Sequence, residues 1–431
     1  MPGHIEDRWI SKRTKEKTKL YGKGKRYKVA GIPGVRARSF TKLTDAKQWL
    51  AHAQTDVTRQ EFVDPREGTI LLRSYVEEQW WPHQRYAATT RDAARRRIWG
   101  HVLPALGSQP LNAITAPVLR EWVARMEETL APGAIRTTWG HLSTILQAAV
   151  EDGRLVKHPM KGSRTARPPA KPVQKARAWS REQTMRVRAG LPEQYRLAVD
   201  LGVGLGLRQG EVFGLPPEDI DSEAGIVHVR RQVCMIDGRL FFALPKGGKT
   251  REVDAAPGVL AGIKQHAKRW QPVEVKLPWA SPYEPQNERQ RVDWAPRTYS
   301  LFLATRQRRA CNRDTWNTRL WKPALASAGL IGRTDGSTGA KWEPSRELGF
   351  HALRHTYASV QLEAGESVVS LARWLGHADP GFTLRTYTHF MPDAGTRGRA
   401  AMDAWFSGEA NSLETPLMVV RGCEGRRTSR S

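Results

Sequence analysis

The sequence predicts an α+β chain, mainly helical, with a small N-terminal β-sheet plus helix module, a helical middle and a mixed α/β second half. Three observations carry this. Short β-type runs at residues 27–30 and 35–40 lead into a helical stretch from 44 to about 60. Between 65 and 156, apolar residues recur at helical spacing: Val118, Leu119, Trp122, Val123 and Met126, then Leu142, Ile145, Leu146 and Ala149. In the second half, strand-like runs at 226–229, 240–244 and 251–254 are separated by glycine-bearing turns.

Composition narrows the partner. The 431 residues suffice for two or three domains with sizeable cores. Lysine and arginine number 69 against 43 acids, a net charge of +26 with a pI near 10.4, which predicts a polyanionic partner. No run of about 18 apolar residues occurs and no basic amphipathic helix dominates, so nucleic acid is favoured over a membrane. Cys234, Cys311 and Cys423 are far apart and in no C-x-x-C pattern, so neither a zinc site nor a disulfide framework is indicated, and a reducing cytoplasm is expected. The start, MPGHIEDRWISKRTKEK, lacks the apolar region of a secretory signal.

The boundaries follow from where periodicity changes. An N-terminal module is expected over 1–64: ten lysines and arginines between Arg8 and Lys28, a three-stranded sheet and one helix with Thr44 as its N-cap. A sheet face bearing Lys25, Arg26, Lys28, Arg36 and Arg38 would enter a groove or track phosphates. A helical domain is expected over 65–160, where Arg91, Arg95, Arg96 and Arg97 share one helix. Residues 161–178, KGSRTARPPAKPVQKARA, are proline-rich, basic and without periodicity, and read as a linker. A second domain is expected over 179–407, opening with Ser180 as an N-cap and Glu182 and Gln183 in the first turn. Its three strand-like runs read as an antiparallel meander, with Asp237-Gly238 turning the first hairpin and Gly247-Gly248 the second, beside Lys246. Residues 276–300 read as an irregular surface insertion, 316–330 as a helix, and 408–431 as a polar tail after the near-helical Met402, Trp405 and Phe406.

The chemistry concentrates in 349–392. His351 and Arg354 lie three apart on one helix face. A second helix over 367–375 stops at Gly376, just before His377. Asp379, Pro380 and Gly381 break the chain, so a third short helix can carry Tyr387. Far upstream, LGLRQGEVFGLPPEDID holds Arg208 and Glu211.

The order H-x-x-R, L-G-H, Y-x-H resembles the C-terminal signature of the tyrosine recombinase (phage integrase) family, and G-L-R-x-G-E resembles its upstream arginine box. The resemblance implies a catalytic domain of tyrosine recombinase type, preceded by a helical (SAM-like) core-binding domain and an arm-type DNA-binding module. It implies site-specific integration and excision of a phage or mobile element through a covalent phosphotyrosine, Holliday junction exchange and religation, with no metal and no nucleotide cofactor. Breaking a phosphodiester without metal needs a nucleophile, a proton donor and fixed cations at the non-bridging oxygens. By resemblance, Arg208 and Arg354 clamp the phosphate, Tyr387 attacks phosphorus, and His351 and His377 orient the phosphate and support proton transfer. Glu211 and His389 support these groups. The family's general-acid lysine falls on Lys246, the residue after a proline, with Lys249 as the alternative.

The implied partners are double-stranded DNA with core and arm attachment sites and a homotetramer on that DNA. A host DNA-bending protein and an excision or directionality factor are common partners in the family, and the setting is the nucleoid of a bacterial cytoplasm. A type IB topoisomerase or a resolvase would use related chemistry, but the N-terminal module and the G-L-R-x-G-E box favour an integrase. A non-catalytic DNA-binding regulator would be as basic, yet would have no use for Tyr387 beside His377 and Arg354.

Overall fold

The computed structural model describes residues 3–32, 35–58, 66–162, 165–170, 177–280, 294–336, 339–343, 346–387 and 395–407. By its internal contacts the chain divides into two compact units. The first comprises Met1–Gln174, Cys234–Ala243 and Pro278–Pro296, and the second Lys175–Val233, Leu244–Leu277 and Arg297–Ser431.

The first unit opens with the expected sheet: β1 (His4–Asp7), β2 (Tyr27–Ala30) and β3 (Arg38–Phe40), all antiparallel, with α1 (Leu43–Thr58) after them. Val29, Ile32, Ala46 and Ala53 form its small core. Helix α1 starts one residue before Thr44, which therefore lies inside the first turn and does not cap it. The register also divides the expected basic face. Lys28 pairs with Glu6 and Ser39, whereas Arg38 pairs with the buried Val29 and stacks over Phe40 and Trp49. Directly opposed residues share a face, so Lys28 and Arg38 point to opposite sides of the sheet.

Helices α2 (Ala88–Arg97), α3 (Ala116–Glu127) and α4 (Pro132–Glu151) follow. The periodic residues fill the core as the spacing requires: Leu119, Trp122, Val123 and Met126 from α3, and Leu142, Ile145, Leu146 and Ala149 from α4. Trp122 stacks on Trp139 and donates its indole N–H to the His101 carbonyl at 3.1 Å.

The second unit starts with α5 (Arg181–Ala189), where the Ser180 hydroxyl accepts from the Gln183 amide and the Gln183 side chain answers at Ser180 N, a complete capping box. Helix α6 (Glu193–Leu205) ends at Gly206, and the five-residue α7 (Gln209–Phe213) follows. The strands differ from the expected meander. β4 (Ile220–Asp221), β5 (Ile226–Val229) and β8 (Arg251–Asp254) form one antiparallel sheet in the order β4-β5-β8. The run at 240–244 instead contributes β7 (Arg239–Ala243), a strand of the first unit, to a separate sheet, order β10-β9-β7-β6, with β6 (Gln232–Ile236), β9 (Val273–Ala280) and β10 (Pro296–Leu301). The Asp237-Gly238 turn does join a hairpin, β6 to β7, and both residues take positive φ as a two-residue loop demands. Part of the 276–300 stretch is thus paired strand, not irregular surface, and residues 281–293 lie outside the described set.

Helix α8 (Pro257–Arg269) precedes β9, and a helical run from Arg313 to Ser327 packs Trp316 and Trp321 face to face, with Trp179 stacked on Trp321. Helices α9 (His351–Glu363), α10 (Val368–Leu375), α11 (Pro380–Tyr387) and α12 (Gly395–Phe406) close the described chain. Ser367 caps α10 and Gly376 ends it in the left-handed conformation, as its position predicts.

Candidate active site

The site is built where helix ends converge. α6 and α10 both end in glycines with positive φ, Gly206 at 62° and Gly376 at 63°, so each last turn leaves carbonyls without intrahelical donors. Arg354 on α9 satisfies one from each helix: Nη1 donates to the Gly206 carbonyl at 2.9 Å and Nη2 to the Leu375 carbonyl. The guanidinium is 1% exposed, with no carboxylate among these acceptors. The negative ends of two helix dipoles and the nearby charge of Glu211 stabilise its charge. Burial and neighbouring Arg208 lower its pKa to about 9, so it stays protonated at pH 7, and its Nε has no hydrogen-bond partner.

Arg208 sits at the start of α7 and is anchored by Glu211. The Glu211 carboxylate accepts from the Arg208 backbone N–H at 2.9 Å and from its Nη1 at 3.0 Å. The same carboxylate receives a fork from Arg251 on β8, with Nη1 and Nη2 donating at 2.9 and 2.6 Å, while Arg251 Nε donates to the Trp374 carbonyl at 2.6 Å. Arg251 therefore ties the arginine box, the strand after the lysine turn and the end of α10 into one network. Burial pushes the Glu211 carboxyl up, but the hydrogen bonds and charge of Arg251, with the charge of Arg208, outweigh this and hold it at about 2.

His377 follows Gly376 and links two helices. Its Nε2 lies 3.1 Å from Arg354 Nη2, so this nitrogen accepts, and Nδ1, at 2.7 Å from Thr383 Oγ1, carries the proton. Burial, then the charges of Arg354 and Arg208, push its pKa down to about 3, consistent with a neutral ring. Thr383 is fully buried on α11, four residues before Tyr387.

Tyr387 ends α11 and is 1% exposed. Its hydroxyl lies 2.8 Å from Nδ1 of His355, whose ring meets the His351 ring edge to face at 4.7 Å between centroids. Burial raises the phenol and the charges of Arg354 and Arg208 pull it back, leaving it at about 12. His351 keeps a solvent-exposed side at the rim. Partial desolvation of its ring and the charges of His355, Arg354, Arg208 and Lys246 hold its pKa well below the usual histidine value.

Lys246 and Lys249 are both exposed in the turn between β7 and β8, which closes through Gly248 N–H donating to the Pro245 carbonyl at 2.9 Å. Lys246 is the last-named of the charges that act on His351. His389 lies outside the described residues. In the first unit, Arg26 forks onto Asp7, and Lys28 lies 3.8 Å from Glu6. Arg96 pairs with Asp92 at 2.7 Å and Arg95 with Asp237 at 3.6 Å, while Lys25 and Arg36 are exposed.

Two residues escaped the sequence reading. Arg251 shares a strand face with the fully buried Val253, and a charge at a core-face position was the available signal. His355 is four residues after His351, hence on its helix face. Among the described residues, no group of three metal-ligating side chains occurs and no helix is long and apolar enough to cross a membrane.

A mixed α/β fold bearing a cluster of arginines, histidines and a buried tyrosine defines the class of tyrosine recombinases, enzymes that transfer DNA strands. Residues 180–393 match the family model for the phage integrase family, and residues 73–166 match that for the phage integrase central domain; the chain belongs to this family. It is similar to the integrase of Mycobacterium phage D29, 25% identical over 374 residues that cover 83% of this chain and 87% of the phage protein. It is also similar to a putative prophage phiRv2 integrase of Mycobacterium tuberculosis, 23% identical over 364 residues, 82% of this chain and 85% of the other.

Among solved structures, the Tn1549 transposon integrase in complex with transposon right end DNA superposes with a TM-score of 0.57 at 18% identity, over 78% of this chain and 99% of that one. A lambda integrase tetramer bound to a Holliday junction gives 0.52 at 14%, over 86% and 93%. Both likenesses show the fold.

Proposed function

We propose that this tyrosine recombinase inserts and excises a phage or mobile element at specific DNA sites, with Tyr387 as the nucleophile that joins a DNA strand to the protein. One observation carries the reading: Arg208 and Arg354 are fixed by the Glu211–Arg251 network and by helix-end carbonyls, next to a buried tyrosine. Two preorganised guanidiniums suit the charge that develops on the non-bridging oxygens. His377, kept neutral by burial and by the charges of Arg354 and Arg208, orients Arg354 through its Nε2. Lys246, which follows Pro245 in the turn after β7, is the candidate for protonating the leaving deoxyribose oxygen, with Lys249 as the alternative.

The organisation proposed is an arm-type DNA-binding module over 1–64, a core-binding domain over 65–160, a linker over 161–178, a catalytic domain over 179–407 and a tail over 408–431. The partners are double-stranded DNA, three further copies of the chain on paired sites, and host bending and directionality factors, all within a bacterial cytoplasm. The net charge of +26 and the named binding of the Tn1549 and lambda proteins support the DNA partner.

The test is a nicked suicide duplex made from DNA flanking the gene, run on a denaturing gel. A covalent protein–DNA band is expected, and Tyr387→Phe should abolish it while leaving the native-gel shift unchanged. A band that persists in Tyr387→Phe would overturn the assignment.

A further inference from the structure

We propose that His355 is the base that takes the proton from Tyr387 as its oxygen attacks phosphorus, and the acid that returns that proton on religation. The proposal rests on Tyr387 being the nucleophile. Its own ground is the contact of 2.8 Å between His355 Nδ1 and the Tyr387 hydroxyl. The phenol is protonated at neutral pH, as any phenol with an ordinary value of 10 is, and burial raises it further. Attack therefore needs a proton acceptor already within hydrogen-bond reach.

His377 cannot serve, because the one lone pair of its neutral ring faces Arg354 Nη2 and its proton is given to Thr383. His351 meets the His355 ring edge to face and is exposed to solvent. His355 is half-buried and directly follows Arg354 on α9, so one helical turn fixes both the phosphate clamp and the base.

In cleavage, the bond from Tyr387 oxygen to phosphorus forms and the bond from phosphorus to deoxyribose oxygen breaks. The phenol proton moves to His355 Nδ1, and the leaving oxygen takes a proton from Lys246. Religation runs the same transfers backwards: a deoxyribose hydroxyl attacks, gives its proton to the lysine, and the departing phenol recovers its proton from His355.

The experiment follows covalent-complex formation by the full chain on the nicked duplex, comparing His355→Ala and His355→Asn with the parent, each with tyrosine or difluorotyrosine at position 387. Asparagine presents an amide near the place of Nδ1 but cannot hold a proton, so it separates proton transfer from packing. Both variants should slow cleavage by about 100-fold or more, with gel-shift affinity unchanged. Difluorotyrosine, a more acidic phenol, should restore at least about tenfold in the variants and little in the parent, by the same acid–base logic. A sulfur leaving group should rescue Lys246→Ala and leave His355→Ala slow. Parent-like cleavage by His355→Asn, or equal responses to the fluorinated phenol in parent and variants, would overturn the proposal and leave His355 a packing residue. A covalent band that survives Tyr387→Phe would instead show that the nucleophile was misassigned.

Discussion

Glu211→Gln isolates what one buried charge does. The substitution keeps the shape of the side chain and removes the carboxylate that receives both Arg208 and Arg251. The folded carboxyl sits at about 2 against an ordinary value of 4.5. Because folding depresses it, its contribution is fully present above pH 4.5 and is lost as pH falls towards 2. At roughly 1.4 kcal/mol per pH unit, that difference stabilises the fold by about 3 kcal/mol at pH 7. The figure agrees with the roughly 3–5 kcal/mol lost when one partner of a buried ion pair is removed.

In calorimetry at pH 7, the melting transition of the second unit should fall by about 6–12 °C in the variant. The gap should shrink by about half at pH 3 and close near pH 2, where the parent has protonated the same group. Covalent-complex formation should slow with it, since Arg208 loses its anchor. A gap of equal size at pH 7 and pH 3 would show that packing rather than charge sets the effect. A parent-like melt at pH 7 would refute the network's role in stability.

Other outcomes test the remaining parts. Lys246→Ala should slow cleavage far more than Lys249→Ala, and a sulfur leaving group should rescue it; equal losses in the two variants would refute the assignment. Gly206→Ala forces a side chain into a φ of 62° with its Cβ 2.6 Å from Tyr357 Cδ1. It should cost about 1–3 kcal/mol of stability in urea denaturation and detach the carbonyl that holds Arg354, slowing cleavage. An unchanged urea midpoint would contradict the geometry.

Much of the architecture was legible because local chemistry decides it. Ser180 and Gln183 announce a capped helix, Gly376 announces a helix end, and Asp237-Gly238 announces a two-residue hairpin loop, each through a backbone requirement that few residues meet. Pairing between strands was not legible. The run at 240–244 is adjacent in sequence to β8, yet it joins β6 and β9, because tertiary contacts and not spacing choose a strand's neighbours. The split of Lys28 from Arg38 is of the same kind, since a face is fixed only once the register is known.

At the site, residue types on short motifs could be read, but not their acceptors. The carbonyls of Gly206, Trp374 and Leu375 hold the arginines through atoms that every residue possesses. Arg251 and His355 act through three-dimensional adjacency that no short motif encodes.

The depth of Tyr387 bears on how long a joined intermediate lasts. With Tyr387 as the proposed nucleophile, a phosphodiester joined to this residue, 1% exposed, would sit where bulk water has little access. Bulk water would otherwise compete with the incoming deoxyribose hydroxyl for that ester. On the proposed role of Tyr387, its enclosure would act as a kinetic filter, lengthening the lifetime of the protein–DNA ester until the proper alcohol arrives.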